Sequence, residues 1–313
     1  MPDFPPIPII CGPTGSGKTA VAVVLANQFP LEIVSADSRQ IIKHLDIGTA
    51  KPTIEEQLRV RFHLLDLVEP GERYNAYRFI VDAEAAIGDI RARQRLPIVV
   101  GGTGLYLRAL TEGVIEIEQD DMPVREQLEK DLARVGAEKM HARLRQIDPL
   151  EAALVHANNT VRVLRALEIF ELTGLTKSQL RTSSNHRHPK YTYEYFCLLP
   201  PRQHLYDIID RRVDQMMASG LLNELERLVL QGMKDAIRRS NIIGYDELLD
   251  FLDGRLTIDE AVSLMKQYTR RYAKRQMTWF RKQTGCLYFG EPGLLMDAVA
   301  GRLTTLWSER EKT

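Results

Sequence analysis

The chain has 313 residues, enough for one large domain or two modest ones with a sizeable core. Its 44% apolar and 27% charged side chains exclude a disordered chain, a collagen-like repeat and a small disulfide scaffold. The 42 basic and 42 acidic side chains cancel, so any attraction to nucleic acid or membrane has to come from local clustering.

Cys11, Cys197 and Cys286 are odd in number, far apart in sequence and without a C-x-x-C pair. This points to a reducing compartment and argues against structural zinc. The amino terminus carries only a short apolar run at 7–11, interrupted by Pro8 and preceded by no basic region, so no signal peptide is expected. No stretch is apolar for long enough to span a bilayer. The expectation is a cytoplasmic protein without a membrane partner.

Hydropathy patterning orders the first hundred residues. Residues 7–11 read as a buried strand, and 19–29 as a helix apolar nearly all round. A second strand at 31–35 ends at Ala36-Asp37, and a third is expected at 63–67. Residues 74–93 read as a helix, with Phe79, Ala83, Ala86, Ile87 and Ile90 as its apolar positions. A fourth strand at 96–100 runs into Gly101-Gly102-Thr103-Gly104. Strands alternating with helices build a parallel sheet with helices on both faces.

The texture changes near residue 115. An acidic run of Glu116, Glu118, Asp120 and Asp121 precedes Met122-Pro123, and only helices are expected from there to about 181, one of them at 162–172. A polar loop at 182–189 follows. Residues 191–199 then alternate like a strand that rejoins the sheet. Further helices are expected at 202–218, at 222–230 with Ser219 as N-cap, and from 257 to about 283. The organisation read from this is a first part of the core at 1–118, a helical insertion at 119–189, and core completion with C-terminal helices at 190–313.

The strongest motif is Gly12-Pro13-Thr14-Gly15-Ser16-Gly17-Lys18-Thr19, a match to G-x-x-x-x-G-K-[ST] between an expected strand and an expected helix. Backbone N–H groups of such a loop point at a phosphate, and the following helix adds the positive end of its dipole. Lys18 supplies a cation and Thr19 a hydroxyl for Mg²⁺. The loop indicates phosphate rather than ATP. The strand-ending Asp that typical nucleotide triphosphatases use is imitated only weakly, by His63-Leu64-Leu65-Asp66.

Asp37 follows a parallel strand, where open α/β sheets bind ligands, and is a candidate proton acceptor or a plain turn-capping residue. The glycines of Gly101-Gly102-Thr103-Gly104 permit close approach of backbone to a ligand or form an ordinary turn, and Thr103 offers a hydroxyl. The segment 266–282 holds Lys266, Arg270, Arg271, Lys274, Arg275, Arg281 and Lys282 with no acid, interleaved with Tyr268, Tyr272, Trp279 and Phe280. That pattern suits phosphate neutralisation and base stacking, or a solvated basic face over aromatic core contacts. The seven histidines form no cluster with metal-ligand spacing.

Together these segments resemble the bacterial tRNA dimethylallyltransferases, the tRNA isopentenyltransferase family. The resemblance runs from the phosphate loop to about residue 285. It is carried by that loop, Ser35-Ala36-Asp37-Ser38-Arg39-Gln40, Asp46-Ile47-Gly48-Thr49-Ala50-Lys51-Pro52 and Gly101-Gly102-Thr103-Gly104-Leu105-Tyr106. It continues through Arg162-Val163-Leu164-Arg165-Ala166-Leu167-Glu168, Ile243-Gly244-Tyr245 and Lys274-Arg275-Gln276-Met277-Thr278-Trp279-Phe280-Arg281.

The resemblance implies an α/β fold, a P-loop NTPase-like parallel sheet flanked by helices, with a helical insertion domain. It implies transfer of the dimethylallyl group of dimethylallyl pyrophosphate to the N6 amine of the adenosine 3′ of the anticodon, in tRNAs reading codons that begin with U. Pyrophosphate would be held by Gly12 to Thr19 with Mg²⁺ at Thr19. Lys18, Asp37 and Thr103 would be catalytic, Asp37 as the base. The tRNA would meet Asp37, Ser38, Arg39, Gln40, Thr103, Arg125, Arg162, Arg165, Arg238, Gly244, Tyr245, Lys274, Arg275, Gln276, Trp279 and Arg281, with the insertion over the anticodon loop. A monomer is expected.

Two positions depart from the family pattern: Ile42 stands where Tyr is usual, and Thr160-Val161 where Pro-Gln is usual. Both bear on anticodon-loop contacts. The rival readings are a P-loop kinase of a small molecule or nucleotide, a prenyltransferase of free adenine nucleotides, and a non-catalytic RNA-binding module.

Overall fold

The computed structural model describes residues 5–115, 122–182 and 186–310. The acidic run 116–121 and residues 183–185 of the polar loop lie outside them. The chain divides into two compact units, Met1–Thr111 with Lys190–Thr313, and Glu112–Pro189.

In chain order the first stretch forms β1 (Ile7–Cys11), α1 (Lys18–Ala26), β2 (Leu31–Ser35), α2 (Ile54–Arg59), β3 (Phe62–His63), α3 (Ala76–Ala92), β4 (Leu96–Gly101) and α4 (Gly104–Glu112). Next come β5 (Val114–Ile115), α5 (Met122–Val135), α6 (Ala137–Ile147), α7 (Pro149–Leu154), α8 (Thr160–Thr173), α9 (Lys177–Thr182) and β6 (His186–Arg187). The rest is β7 (Tyr193–Leu198), α10 (Arg202–Ala218), α11 (Leu221–Leu230), α12 (Lys234–Ser240), α13 (Tyr245–Leu252), α14 (Ile258–Phe280), β8 (Cys286–Phe289) and α15 (Pro292–Arg310).

Six strands form one parallel sheet in the order β3-β2-β4-β1-β7-β8. Strands β1, β2 and β4 are buried at every position, as expected of a sheet covered on both faces; β1 and β4 are apolar throughout, while β2 also buries Glu32 and Ser35. One face packs on α3 and α4 through Phe79, Ala83, Ile87 and Leu107. The other packs on α1 and α15 through Val21, Leu25, Leu295 and Val299. A third apolar cluster joins the segment Ile41–Leu45 to α11 and α13 through Leu225, Tyr245 and Leu249.

The second unit has its own core, built from Leu128 on α5, Met140 and Leu144 on α6, and Val163, Leu164 and Leu167 on α8. Its chain leaves and returns through the antiparallel pair β5–β6.

The strand expected at 191–199 does rejoin the sheet, as β7 between β1 and β8. Other expectations need correction. The strand expected at 63–67 ends at His63. Leu64 and Asp66 adopt left-handed backbone, with φ of 64° and 54°, which breaks an extended run. The chain turns there to bond residues 40 and 41, through Asp66 N to Gln40 O and Leu67 N to Ile41 O. Ser219 does not cap α11: it closes α10, and Gly220, at φ 95°, starts α11. Patterning missed β8, whose four residues at the sheet edge show no clean alternation in burial. Finally, the three cysteines are not remote from one another: they sit on β1, β7 and β8 with their sulfurs all within 4.8 Å.

Candidate active site

The strand order makes neighbours of the loops that leave the carboxyl ends of β2, β4 and β1. These loops carry Asp37, Gly101–Gly104 and the phosphate loop, and they border one cleft of about 940 Å³. That is the place and the size expected of a small-ligand site in an open parallel sheet.

The phosphate loop bends from β1 into α1, which starts at Lys18 with its first amides unspent. Lys18 is buried, and its Nζ donates to the Pro13 carbonyl at 2.7 Å. Burial pulls its pKa down to about 8, against an opposing pull from Asp37, while Arg212 lowers it further. Ser16 Oγ is buried and bonds to nothing among the described residues. An orphaned hydroxyl inside this loop fits a phosphate oxygen. Thr19, Asp37 and Asp66 also line the cleft. The Thr19 hydroxyl, at the start of α1, is the kind of hard oxygen donor that Mg²⁺ takes beside a phosphate.

Asp37 combines both roles considered for it. Its Oδ1 accepts from Arg39 N at 2.9 Å and Gln40 N at 3.4 Å, so the carboxylate caps its own turn. Its Oδ2 accepts no hydrogen bond among the described residues. Thr103 Oγ1 accepts from Ser38 N at 3.0 Å, which ties the β4 loop to the β2 loop. Gly101 permits this closeness, because a Cβ there would stand 2.2 Å from Ala36 O. The pKa of Tyr272 rises to about 12, chiefly by burial and then by the Asp37 charge.

The glycines after β4, read as admitting either a ligand or an ordinary turn, border the cleft at Gly101 and Gly102 and also let protein side chains approach closely. A Cβ on Gly102 would meet Gln276 at 2.6 Å, and one on Gly104 would meet the Trp279 ring at 2.6 Å. Gln276 was expected to touch tRNA. It is buried instead, accepting from Thr14 N at 2.8 Å and donating to Gly102 O at 2.8 Å. It braces the phosphate loop against the β4 loop.

Sequence reading missed Arg212. It projects from α10 into the cleft, and burial lowers its pKa while the Asp37 and Glu56 charges oppose that shift. No motif marks it, and its neighbour Arg211 looks identical in the sequence. It also missed the depth of Lys51, whose side chain is 4% exposed between Asp46 and Asp66.

Several other expected tRNA contacts have structural work. Tyr245 is fully buried: its hydroxyl donates to Glu224 Oε1 at 2.6 Å and accepts from Gly48 N at 3.2 Å. Gly244, at φ 102°, starts α13, and its N donates to Glu247 Oε2 at 2.6 Å. Arg238 pairs with Asp250 at 2.8 Å and Asp253 at 3.2 Å. Arg39 donates to Ser240 O at 2.8 Å, and Gln40 Nε2 to Ala50 O at 2.9 Å. Ile42 is buried in the third cluster, so this departure from the family pattern lies in the core.

Helix α14 divides its basic residues between two uses. Lys266 and Arg270 pair with Asp214 and Asp210 on α10. Arg271, Lys274 and Arg275 are exposed along one stripe, which exposed Arg281 and Lys282 extend past the end of the helix, while Ala273, Gln276, Met277 and Phe280 face inward. In the second unit, Arg125 and Arg165 both pair with buried Glu168, at 3.7 and 2.9 Å, whereas Arg162 on α8 is exposed.

A family model described as IPP transferase matches residues 40–283, and another, isopentenyl transferase, matches residues 5–67. The tRNA dimethylallyltransferase of Anaeromyxobacter sp. (strain K) is 46% identical over 284 residues, covering 91% of this chain and 92% of that one. The tRNA dimethylallyltransferase 1 of Syntrophotalea carbinolica is 43% identical over 290 residues, covering 92% of each. The crystal structure of the full-length tRNA isopentenylpyrophosphate transferase from Bacillus halodurans matches with a TM-score of 0.68 at 38% identity, covering 98% of this chain and 99% of that one. A eukaryotic dimethylallyltransferase acting on tRNA matches with a TM-score of 0.74 at 29% identity, covering 88% of this chain and 69% of that one. Among the described residues, no helix is long and apolar enough to cross a membrane. With a phosphate loop and a strand-end carboxylate on one cleft, and with relatives of this similarity along nearly its whole length, the chain belongs to the tRNA dimethylallyltransferase family.

Proposed function

We propose that this chain is a prenyltransferase that moves the dimethylallyl group of dimethylallyl pyrophosphate to the N6 amine of the adenosine 3′ of the anticodon, in tRNAs reading codons that begin with U. The observation that carries the reading is the meeting of the phosphate loop, Asp37 and the Thr103 loop around one cleft.

In this reading the N6 nitrogen attacks C1 of the dimethylallyl group, the C1–O bond breaks, and pyrophosphate leaves with the bonding pair. Charge grows on the pyrophosphate oxygens in the transition state. Preorganised donors stabilise it there: the loop amides, the start of α1, Lys18 and Arg212. Ser16 Oγ adds a donor from inside the loop. Mg²⁺, held by the Thr19 hydroxyl, would supply further neutralisation of phosphate charge.

The N6 proton goes to Asp37 Oδ2, the oxygen not engaged by the turn. Thr103, anchored by Ser38, orients the reacting groups. An adenine stacked in an RNA loop does not reach such a cleft, so the nucleotide is flipped out. The exposed stripe of α14 neutralises tRNA phosphates, and Arg162 does so from the segment 119–189, which is assigned to the anticodon side. The chain acts as a monomer in the cytoplasm.

The deciding assay mixes the protein, Mg²⁺, radiolabelled dimethylallyl pyrophosphate and unmodified tRNA, with AMP and ATP in parallel. Label entering tRNA, and lost when the target adenosine is replaced by guanosine, is the expected result. Label entering AMP instead, or none entering tRNA, overturns the reading.

A further inference from the structure

We propose that Cys11, Cys197 and Cys286 form a three-thiolate site for a thiophilic d10 metal ion, Zn²⁺ or Cu⁺, beside the phosphate loop. Cys11 and Cys197 are direct register partners on β1 and β7. Cys286 on β8 pairs with Tyr195, two residues before Cys197, which puts it on the same face of the sheet. All three sulfurs lie within 4.8 Å of one another. Three thiolates at about 2.3 Å around one ion need sulfur separations of about 4 Å. The strands thus hold the donors within a small adjustment of ligating geometry.

Among the described residues no His, Asp or Glu joins the group, so the donor set is sulfur alone. Sulfur donors select soft ions and disfavour Mg²⁺. Cys11 and Cys197 are fully buried, and Cys286 is half-buried, which gives an ion a way in.

On binding, each sulfur gives its proton to solvent and a lone pair to the ion, so three protons leave and no electron changes hands. The product carries one negative charge with Zn²⁺ and two with Cu⁺. Apolar neighbours such as Phe280 and Val99 belong to the same cluster as Cys11 and Cys197, and they penalise the larger charge. The Lys18 ammonium interacts electrostatically with both buried thiols and offsets part of the smaller one. The site would tie edge strand β8 to β7 and β1. The alternative is three buried thiols acting only as small apolar groups.

The test titrates the reduced, metal-free full-length chain with Zn²⁺ against a chromophoric chelator, and in a separate anaerobic arm with Cu⁺. Thiols open to a disulfide reagent after denaturant-free labelling are counted, and the melting temperature is recorded. One equivalent bound with protection of all three thiols and a raised melting temperature supports the site, and the ion held more tightly is its occupant. Cys286→Ser, with folding checked by circular dichroism, should weaken binding by more than the roughly 10–100-fold that loss of a secondary contact costs. Binding of neither ion at micromolar metal overturns the proposal, as does full-affinity binding by Cys286→Ser or by a wild type whose thiols stay unprotected.

Discussion

Asp37 shows how one side chain serves both geometry and chemistry. Oδ1 holds the turn that presents Arg39 and Gln40, and Oδ2 is the proposed base. Asp37→Asn keeps the turn-capping oxygen but removes the proton acceptor. It should lower kcat for prenyl transfer by about 10²–10⁴-fold while tRNA affinity stays near wild type. Retention of more than a tenth of the wild-type rate rejects the role. Gln276 calls for a different outcome from the one its place in a basic helix suggests. Gln276→Ala leaves Thr14 N and Gly102 O without their partner, a loss of about 1–3 kcal/mol in loop order. A rise in KM for dimethylallyl pyrophosphate with unchanged tRNA affinity identifies it as a positioning residue. The reverse pattern makes it a tRNA contact.

The two faces of α14 carry opposite expectations. The affinity for tRNA should fall steeply with added salt, and Arg275→Ala or Arg281→Ala should each reduce the slope of log K against log salt by about 1. Arg270→Ala, whose guanidinium is engaged by Asp210, should leave that slope unchanged. Equal slopes for all three variants return α14 to a solvated structural helix. In β2, Glu32 is 4% exposed and is held by Arg93 Nη2 at 2.7 Å and His63 Nε2 at 2.6 Å. Burial alone raises its pKa, but the bonds from Arg93 and His63 outweigh that, and the net shift is below the ordinary 4.5. A carboxylate depressed in the folded state contributes stability above its unfolded pKa and loses it as pH falls through the folded value. Glu32→Gln should therefore cost about 1.5–3 kcal/mol near neutrality. The gap from wild type should close as pH drops below 4.5. A gap independent of pH shows that Glu32 matters by shape alone.

At the scale of the molecule, the chain builds two cores rather than one. Leu144 is fully buried at the centre of the second. Leu144→Ala should destabilise that unit by about 2–5 kcal/mol. Hydrogen exchange should locate the loss in α5, α6 and α8, with the amides of β1 and β4 protected as in wild type. Lost protection spread evenly over the chain means that the units melt as one. Such a division explains why patterning detected a helical segment between two parts of a sheet: the helices 122–182 have an apolar partner of their own, so their periodicity is complete locally.

The phosphate loop, the strands β1, β2, β4 and β7, and the strand-end placement of Asp37 were legible in the order of residues. Each rests on short-range information: residue types in a fixed spacing, or an apolar run of strand length. Which polar residues were left for function follows from long-range packing. Gln276 finds Thr14 across 262 positions and Tyr245 finds Gly48 across 197, so Tyr245 is spent in the core and Gln276, at the cleft wall, is tied to the loops it braces. Packing also turned Arg212 into the cleft, sank Lys51 between two carboxylates and brought three distant cysteines together. No periodicity encodes those meetings. The meeting of the cysteines depends on the spatial order of the strands, because β1 lies beside β7, and β7 beside β8, only through the long crossovers that a parallel sheet requires.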